Sequence, residues 1–145
     1  MTFSNPPPDE IRALLQRVRS IAVVGLSPKA DRPSYKVAAA LQCFGYRIIP
    51  VRPMMKVILG EKAYADLASI PDKIDLVDVF RAPDQLDEVI DACIALQVPA
   101  VWLQDGVVNE AAAQRARAAG LMVIMDRCVY RDYVQWFGAV PRSAP

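Results

Sequence analysis

Five short apolar runs recur along the chain: IAVVGL from Ile21, YRIIPV from Tyr46, IDLVDVF from Ile74, AVWLQ from Ala100 and LMVIMD from Leu121. Most are continuous and rich in β-branched residues rather than strictly alternating. Such runs suit strands covered on both faces, as in parallel sheets. Between them the apolar positions switch to helical spacing. DEIRALLQRVRS places Ile11, Leu14, Leu15 and Val18 on one stripe, with Asp9 and Glu10 at the positive end of the helix dipole. PSYKVAAALQCF carries Pro33 in its first turn and meets a stop at Gly45. PDQLDEVIDACIALQ opens on Pro83 and Asp84, and NEAAAQRARAAG runs from Asn109 as N-cap to Gly120 at the C′ position. YRDYVQWF reads as a last short helix, and the stretch from Arg52 to Lys73 as irregular apart from one helical turn at ADLASI.

Strands alternating with helices predict an α/β fold, a doubly wound parallel five-stranded sheet in a single domain. The expected strand order is 3-2-1-4-5. Residues 1–8 form an extended arm, because three consecutive prolines fix φ and remove donors. Residues 9–137 form the domain, and 138–145 a loose C-terminal tail.

Composition narrows the chemistry. At 145 residues, one domain is expected. With 17 basic and 16 acidic residues the formal charge is +1, so no bulk attraction to nucleic acid or to an anionic membrane follows. No histidine is present, which removes Ser-His and Cys-His nucleophile pairs and argues against a zinc site. Cys43, Cys93 and Cys128 form no CxxC, as suits reduced thiols in a cytoplasmic protein. Cys43 and Cys93 read as core; Cys128, beside Arg127, is either an activated thiol or a small buried hydrophobe. No secretory signal pattern opens the sequence, and no apolar run reaches the roughly 20 residues of a membrane span.

In an open α/β sheet, ligands bind beyond the carboxyl ends of the strands, where strand order reverses. Four loops meet that rule: GLSPKADRPS, PVRPMMK, FRAP and QDGVVNE. They hold Ser27, Lys29, Arg32, Ser34, Arg52, Lys56, Arg81 and Gln104. A polyanion is the natural partner for such a rim. Gly25 lets backbone approach a phosphate, Pro33 pre-sets the following helix, and Ser34 offers a hydroxyl. The alternative is an ordinary turn with solvated charges. After the second strand, a site for NAD usually places an acid on the ribose 2′-hydroxyl. Arg52 stands there instead, which fits an extra ribose phosphate, as in NADP or coenzyme A, or a solvent-facing side chain. Arg81 is either part of the rim or an ion-pair partner of Asp84. Of the paired acids in the third strand, Asp75 is expected solvated at its N-terminal end and Asp78 hydrogen-bonded within the sheet. Trp102 reads as core.

Four segments taken together, IAVVGLSPKADRPSYKVAAALQCFGYRIIPVRP, ILGEKAYADLASIP, DLVDVFRAP and VWLQDGVVNEAAAQRARAAGLMVIMDRC, carry a resemblance. They resemble the small single-domain CoA-binding proteins, which are similar to the CoA-binding domain of the succinyl-CoA synthetase α subunit. RPSY, VDVFR and MDRC are its most specific parts. The resemblance implies a Rossmann-like fold that binds the CoA nucleotide. It places the loop Gly25, Leu26, Ser27, Lys29, Arg32, Pro33 and Ser34 against the pyrophosphate. It places Val51, Arg52, Pro53 and Lys56 around the adenosine and its 3′-phosphate, and Phe80, Arg81 and Pro83 on the adenine or pantetheine side. Gln104, Gly106 and Val107 would form the other wall. The chain departs from the family pattern at Arg52, where asparagine is common, and at Asp105, where a hydrophobic residue is common. Val129-Tyr130 replaces the usual Pro-Lys after MDRC.

The function expected is binding of coenzyme A or a short acyl-CoA, without catalysis by this chain. An NADP-dependent oxidoreductase and a CoA-ligase component acting with a partner subunit are the alternatives. A small-molecule nucleotide is the expected ligand, with a homodimer or a partner enzyme as candidate assemblies and Trp136 and Phe137 as a docking tail.

Overall fold

The hydrophobic run at residues 20–24 is buried along its whole length and forms β1 (Ser20–Val24). The computed structural model describes residues 2–143; Met1 of the expected arm and residues 144–145 of the expected tail lie outside the described residues. Along the chain follow α1 (Pro8–Arg17), then β1, α2 (Pro33–Cys43), β2 (Arg47–Val51) and a small hairpin, β3 (Val57–Ile58) with β4 (Glu61–Lys62). After these come β5 (Leu76–Val79), α3 (Leu86–Leu96), β6 (Ala100–Leu103), α4 (Glu110–Ala118), β7 (Met122–Ile124) and α5 (Val129–Phe137). A 3₁₀ turn at Leu67–Ser69 lies within the expected helical turn of ADLASI.

Five parallel strands make one sheet in the order β2-β1-β5-β6-β7. The expected α/β parallel architecture holds, but the expected order 3-2-1-4-5 is corrected. Counted along the chain, the sheet strands run 2-1-3-4-5. Pro50 supplies the physical reason. Its carbonyl accepts from Tyr64 N–H on the side of β2 away from β1. A proline nitrogen on that side has no hydrogen to give, so a full strand could not pair there. β2 is therefore an edge strand, and β5 inserts on the other side of β1.

One face of the sheet, with Val24, Val77, Val79, Leu103 and Val123, packs on α3 and α4 through Leu86, Ile90, Ala113 and Ala116. The opposite face, with Ile21, Val23, Leu76, Trp102 and Ile124, packs on α1, α2 and α5 through Leu15, Leu41 and Tyr133. Trp102 lies in this core as expected and donates its indole N–H to the Arg127 carbonyl at 2.8 Å. Cys93 is buried, whereas Cys43 is exposed at the end of α2, a correction to its reading as core. No described helix is long and apolar enough to cross a membrane.

Asn5 and Arg142, near the two ends of the described residues, are both tied to the domain. Asn5 pairs its amide with the backbone N–H and carbonyl of Met125, at 2.8 and 3.0 Å. The segment read as a loose tail is anchored through Arg142. Its guanidinium bonds the carbonyls of Gln16, Val18 and Phe44 and lies 4.0 Å from the centre of the Tyr46 ring.

Two substitutions test this packing. Arg142→Ala removes three carbonyl partners and the ring contact, and is expected to lower stability by about 1–3 kcal/mol in urea denaturation. Gly25 has φ +84°, and a Cβ there would stand 2.6 Å from the Phe80 carbonyl oxygen. Gly25→Ala therefore forces β1 and β5 apart, with an expected loss of about 2 kcal/mol or more in the same measurement.

Candidate functional site

The strand order places the switch point between β1 and β5, so the chain leaves these two strands in diverging directions. Gly25 sits at the divergence. Its N–H donates to the Val51 carbonyl at 3.0 Å, and Phe80 N–H donates to the Val24 carbonyl at 2.9 Å. With no side chain on Gly25, bare backbone forms the floor of a groove.

The loop after β1 is built by its own hydroxyls. Ser27 N–H donates to Ser34 Oγ at 3.0 Å, and Lys29 N–H donates to Ser27 Oγ at 3.1 Å. Arg32 is extended and Pro33 begins α2; no side chain caps this helix and its first turn holds no acid. Its leading amides thus remain available to an anion. Ser34, expected to donate to a ligand, is buried and uses its oxygen as an acceptor that closes the loop. A hydroxyl can accept and donate at once, so the two roles are compatible.

Three adjoining hollows cross the carboxyl ends of β2, β1, β5 and β6, and Phe80 borders all of them. One of about 420 Å³ is lined by Ser27, Pro28, Lys29, Arg32, Pro33 and Ser34 with Arg52. A second of about 380 Å³ lies between Arg52, Pro53, Arg81, Ala82 and Gln85. The third, of about 460 Å³, is lined by Pro33, Val37, Arg81, Gln104, Asp105, Val107 and Cys128. Four cations face this groove, and no carboxylate pairs with Lys29, Arg32, Arg52 or Arg81 among the described residues. Arg52 bends over the first loop toward the Leu26 carbonyl, at 3.4 Å, and Arg81 contacts Gln85 Oε1 at 3.5 Å rather than Asp84. A further hollow of about 490 Å³ lies against α5, but there Arg127 is bound by Asp132 and Arg131 by Asp105. Its positive charge is already spoken for.

The structure brings Gly25, Ser27, Lys29, Arg32, Pro33, Ser34, Arg52, Pro53, Phe80, Arg81, Gln104 and Val107 onto one groove. Leu26 and Val51 are buried beneath it, with their carbonyls in the groove's hydrogen bonds. Lys56, Pro83 and Gly106 stand outside the three hollows; Gly106 N–H donates to Asp126 Oδ1 at 2.8 Å. Val37 and Gln85 line the groove without having been singled out from sequence. Val37 lies four residues beyond Pro33 in α2, and helical spacing was the signal for it; Gln85 ends the 3₁₀ turn Pro83–Gln85 that follows Arg81. Asp105 does face the third hollow, but Arg131 grips both of its oxygens, at 2.6 and 2.8 Å. That guanidinium holds the Asp105 carboxyl below the usual carboxylate range.

Asp75 and Asp78 divide as the sequence suggests, with a difference. Asp75 Oδ2 accepts from the N–H groups of Arg19 and Ser20 at 2.9 and 3.2 Å, so backbone donors hold it at the strand entry rather than leaving it simply solvated. Asp78 is wholly buried; its Oδ1 accepts from Gln104 Nε2 at 2.5 Å, and its Oδ2 has no partner among the described residues. Burial pushes the Asp78 carboxyl up to about 7, against a smaller opposing effect of the Gln104 hydrogen bond. The fold then binds this proton more tightly than the unfolded chain does. Asp78's contribution to stability is greatest at low pH, falls as pH rises from about 4 through about 7, and levels off above. The full difference is on the order of 4 kcal/mol. In Asp78→Asn this decline is expected to vanish, so thermal melts of variant and wild type should diverge between about pH 5 and about pH 8, with the variant the more stable at the upper end.

With the geometry described, comparison with known proteins is direct. The model of the CoA binding domain family matches residues 19–133. Bacillus subtilis YneT is 46% identical over 127 residues, 88% of this chain and 94% of that protein. A solved structure of a protein from Pyrococcus horikoshii OT3 superposes with a TM-score of 0.87 at 34% identity, covering 94% of this chain and 99% of the other. The ADP-forming acetate–CoA ligase II of Archaeoglobus fulgidus is 30% identical over 77 residues, which are 52% of this chain but 11% of the ligase. The chain belongs to the CoA binding domain family.

Proposed function

We propose that the chain binds coenzyme A, or a short acyl-CoA, in the groove at the carboxyl ends of β1, β2, β5 and β6, and performs no catalysis of its own. One observation carries the reading: four cations without carboxylate partners border connected hollows where uncapped amides of α2 also point. The loop from Gly25 to Ser34 takes the pyrophosphate on its amides. Arg52, with Lys29 and Arg32, takes the phosphate on the ribose. Phe80, Pro53 and Arg81 flank the adenosine, and the more apolar third hollow, with Val37 and Val107, takes the pantetheine arm. Leu26 and Val51 support the floor, while Lys56, Pro83 and Gly106 belong to its outer margin.

The match to an ADP-forming acetate–CoA ligase favours a second reading, in which this chain supplies the CoA site to a partner subunit that performs the chemistry. Co-purification of such a subunit with the native protein tests that reading.

Isothermal titration tests the first. CoA is expected to bind at one site per chain. Arg52→Ala should weaken it by about tenfold or more, the contribution of a charge-assisted hydrogen bond to phosphate, and Arg81→Ala, which removes a cation beside the adenosine, by less. Dephospho-CoA should bind more weakly than CoA to the wild type but lose less in Arg52→Ala. No heat with CoA or acetyl-CoA, or stabilisation by NADPH alone in thermal shift, would overturn the assignment.

A further inference from the structure

Asp78 is the most anomalous group in the molecule. It lies in the middle strand of the sheet, paired in register with Val23 of β1 and Trp102 of β6. A carboxyl buried there with one hydrogen bond and one orphaned oxygen does not serve stability, because an apolar residue of like size would fit the core better. Its single partner is Gln104, itself buried, whose side chain lines the third hollow beside Phe80, Val107 and Cys128. Asp78, Phe80 and Gln104 share one face of the sheet, so the acid lies directly behind the groove wall.

An amide side chain has two ends of opposite hydrogen-bonding character. In the arrangement described, Gln104 gives its N–H to Asp78, and its Oε1 remains for the hollow. That arrangement suits an ionised Asp78, which only accepts. A protonated Asp78 can donate instead to Oε1 of a turned amide, which sends the NH₂ end toward the hollow.

We propose that Asp78 is a positioning residue that acts through Gln104: its charge state sets which end of the Gln104 amide faces the groove, and so couples ligand binding to a proton. This rests on the CoA reading. The pantetheine arm of CoA carries amide N–H groups, and Gln104 Oε1 is the acceptor offered to one of them. The ionised form of Asp78 then binds CoA more tightly, so affinity rises with pH and binding releases a proton.

The titratable and charged groups packed around Asp78 come from several elements. On β1 and β6 its neighbours are Val23 and Trp102. On α2, Lys36 is exposed and Tyr35 half-buried. On α5, Asp132 is held by Arg127 at 2.7 Å and Tyr133 donates to the Val140 carbonyl at 2.8 Å. Around the hollow stand Arg81, Cys128 and Asp105, the last held by Arg131. Burial raises the Asp78 carboxyl to about 7, within reach of ordinary buffers.

The experiment is isothermal titration of CoA into wild type, Asp78→Asn and Gln104→Leu at about pH 6 and about pH 8. Wild-type affinity should rise with pH by roughly three- to tenfold more than in either variant, the factor of one hydrogen bond. The variants keep only the titration of the ligand's own phosphates. Asp78→Asn is near-isosteric, and a merely structural role would shift its affinity equally at both pH values. Should that variant not fold, Gln104→Leu, which leaves the acid in place, carries the same comparison. Superimposed pH profiles with CoA bound would overturn this inference alone; absence of CoA binding at both pH values would overturn the CoA reading and this inference with it.

Discussion

The close approach of two backbones, at Gly25 and Phe80, sets the geometry of everything else. A methyl group at Gly25 would lie 2.6 Å from the Phe80 carbonyl oxygen, so β1 and β5 can diverge there only around a residue without a side chain. That spacing brings the loop after β1 and the loop after β5 to one groove. It also puts Phe80 on the border of three hollows rather than one. The helix that follows the Gly25 loop starts with Pro33 and has no capping side chain. A steric constraint at one residue thereby orients both the amide dipoles and the cations of the rim.

Four arginines away from the groove are ion-paired: Arg127 by Asp132, Arg131 by Asp105, Arg115 by Asp87 and Asp91, Arg47 by Asp72. At the groove, Lys29, Arg32, Arg52 and Arg81 are ion-paired with no carboxylate among the described residues. A formal net charge of only +1 thus does not reveal the local cluster of cations at the groove. The pairing of Asp105 follows the same logic. An acid at the groove margin would repel phosphate, but its charge is countered by a guanidinium that grips both oxygens.

Much of this was legible in the sequence, and the limits have physical causes. The apolar runs gave all five sheet strands, because parallel strands covered on both faces read as unbroken hydrophobic stretches. The order of the strands did not follow from periodicity, which says nothing about neighbours. Yet Pro50 carried the information: a proline inside an apolar run marks an edge strand, and β2 at the edge excludes a third strand beyond it. The first-loop residues and Arg52 come together on one groove, as the switch-point rule leads one to expect of loops that sequence locates well. Lys56 was harder to place, since the hairpin of β3 and β4 lies inside a stretch with no clear pattern. Val37 escaped because it sits inside the helical stripe that begins at Pro33, and Gln85 because it closes the short 3₁₀ turn after Arg81. The anchoring of the tail by Arg142 had no local signal, since its partners lie around a hundred residues away in sequence.

Asp78 marks the point where folding and function draw apart. Every other position on its face of the middle strands, from Ile21 and Val23 to Trp102, is apolar and packed. An acid among them lowers stability whenever it ionises, by on the order of a few kcal/mol, a large share of what holds a small domain together. The fold tolerates it because burial keeps the carboxyl protonated well above its ordinary range. A core residue chosen only for packing would not titrate near neutral pH, nor accept its one hydrogen bond from a glutamine on the groove wall. The location of the defect, behind the wall of the cationic groove rather than under a remote helix, ties its energetic burden to whatever that groove holds.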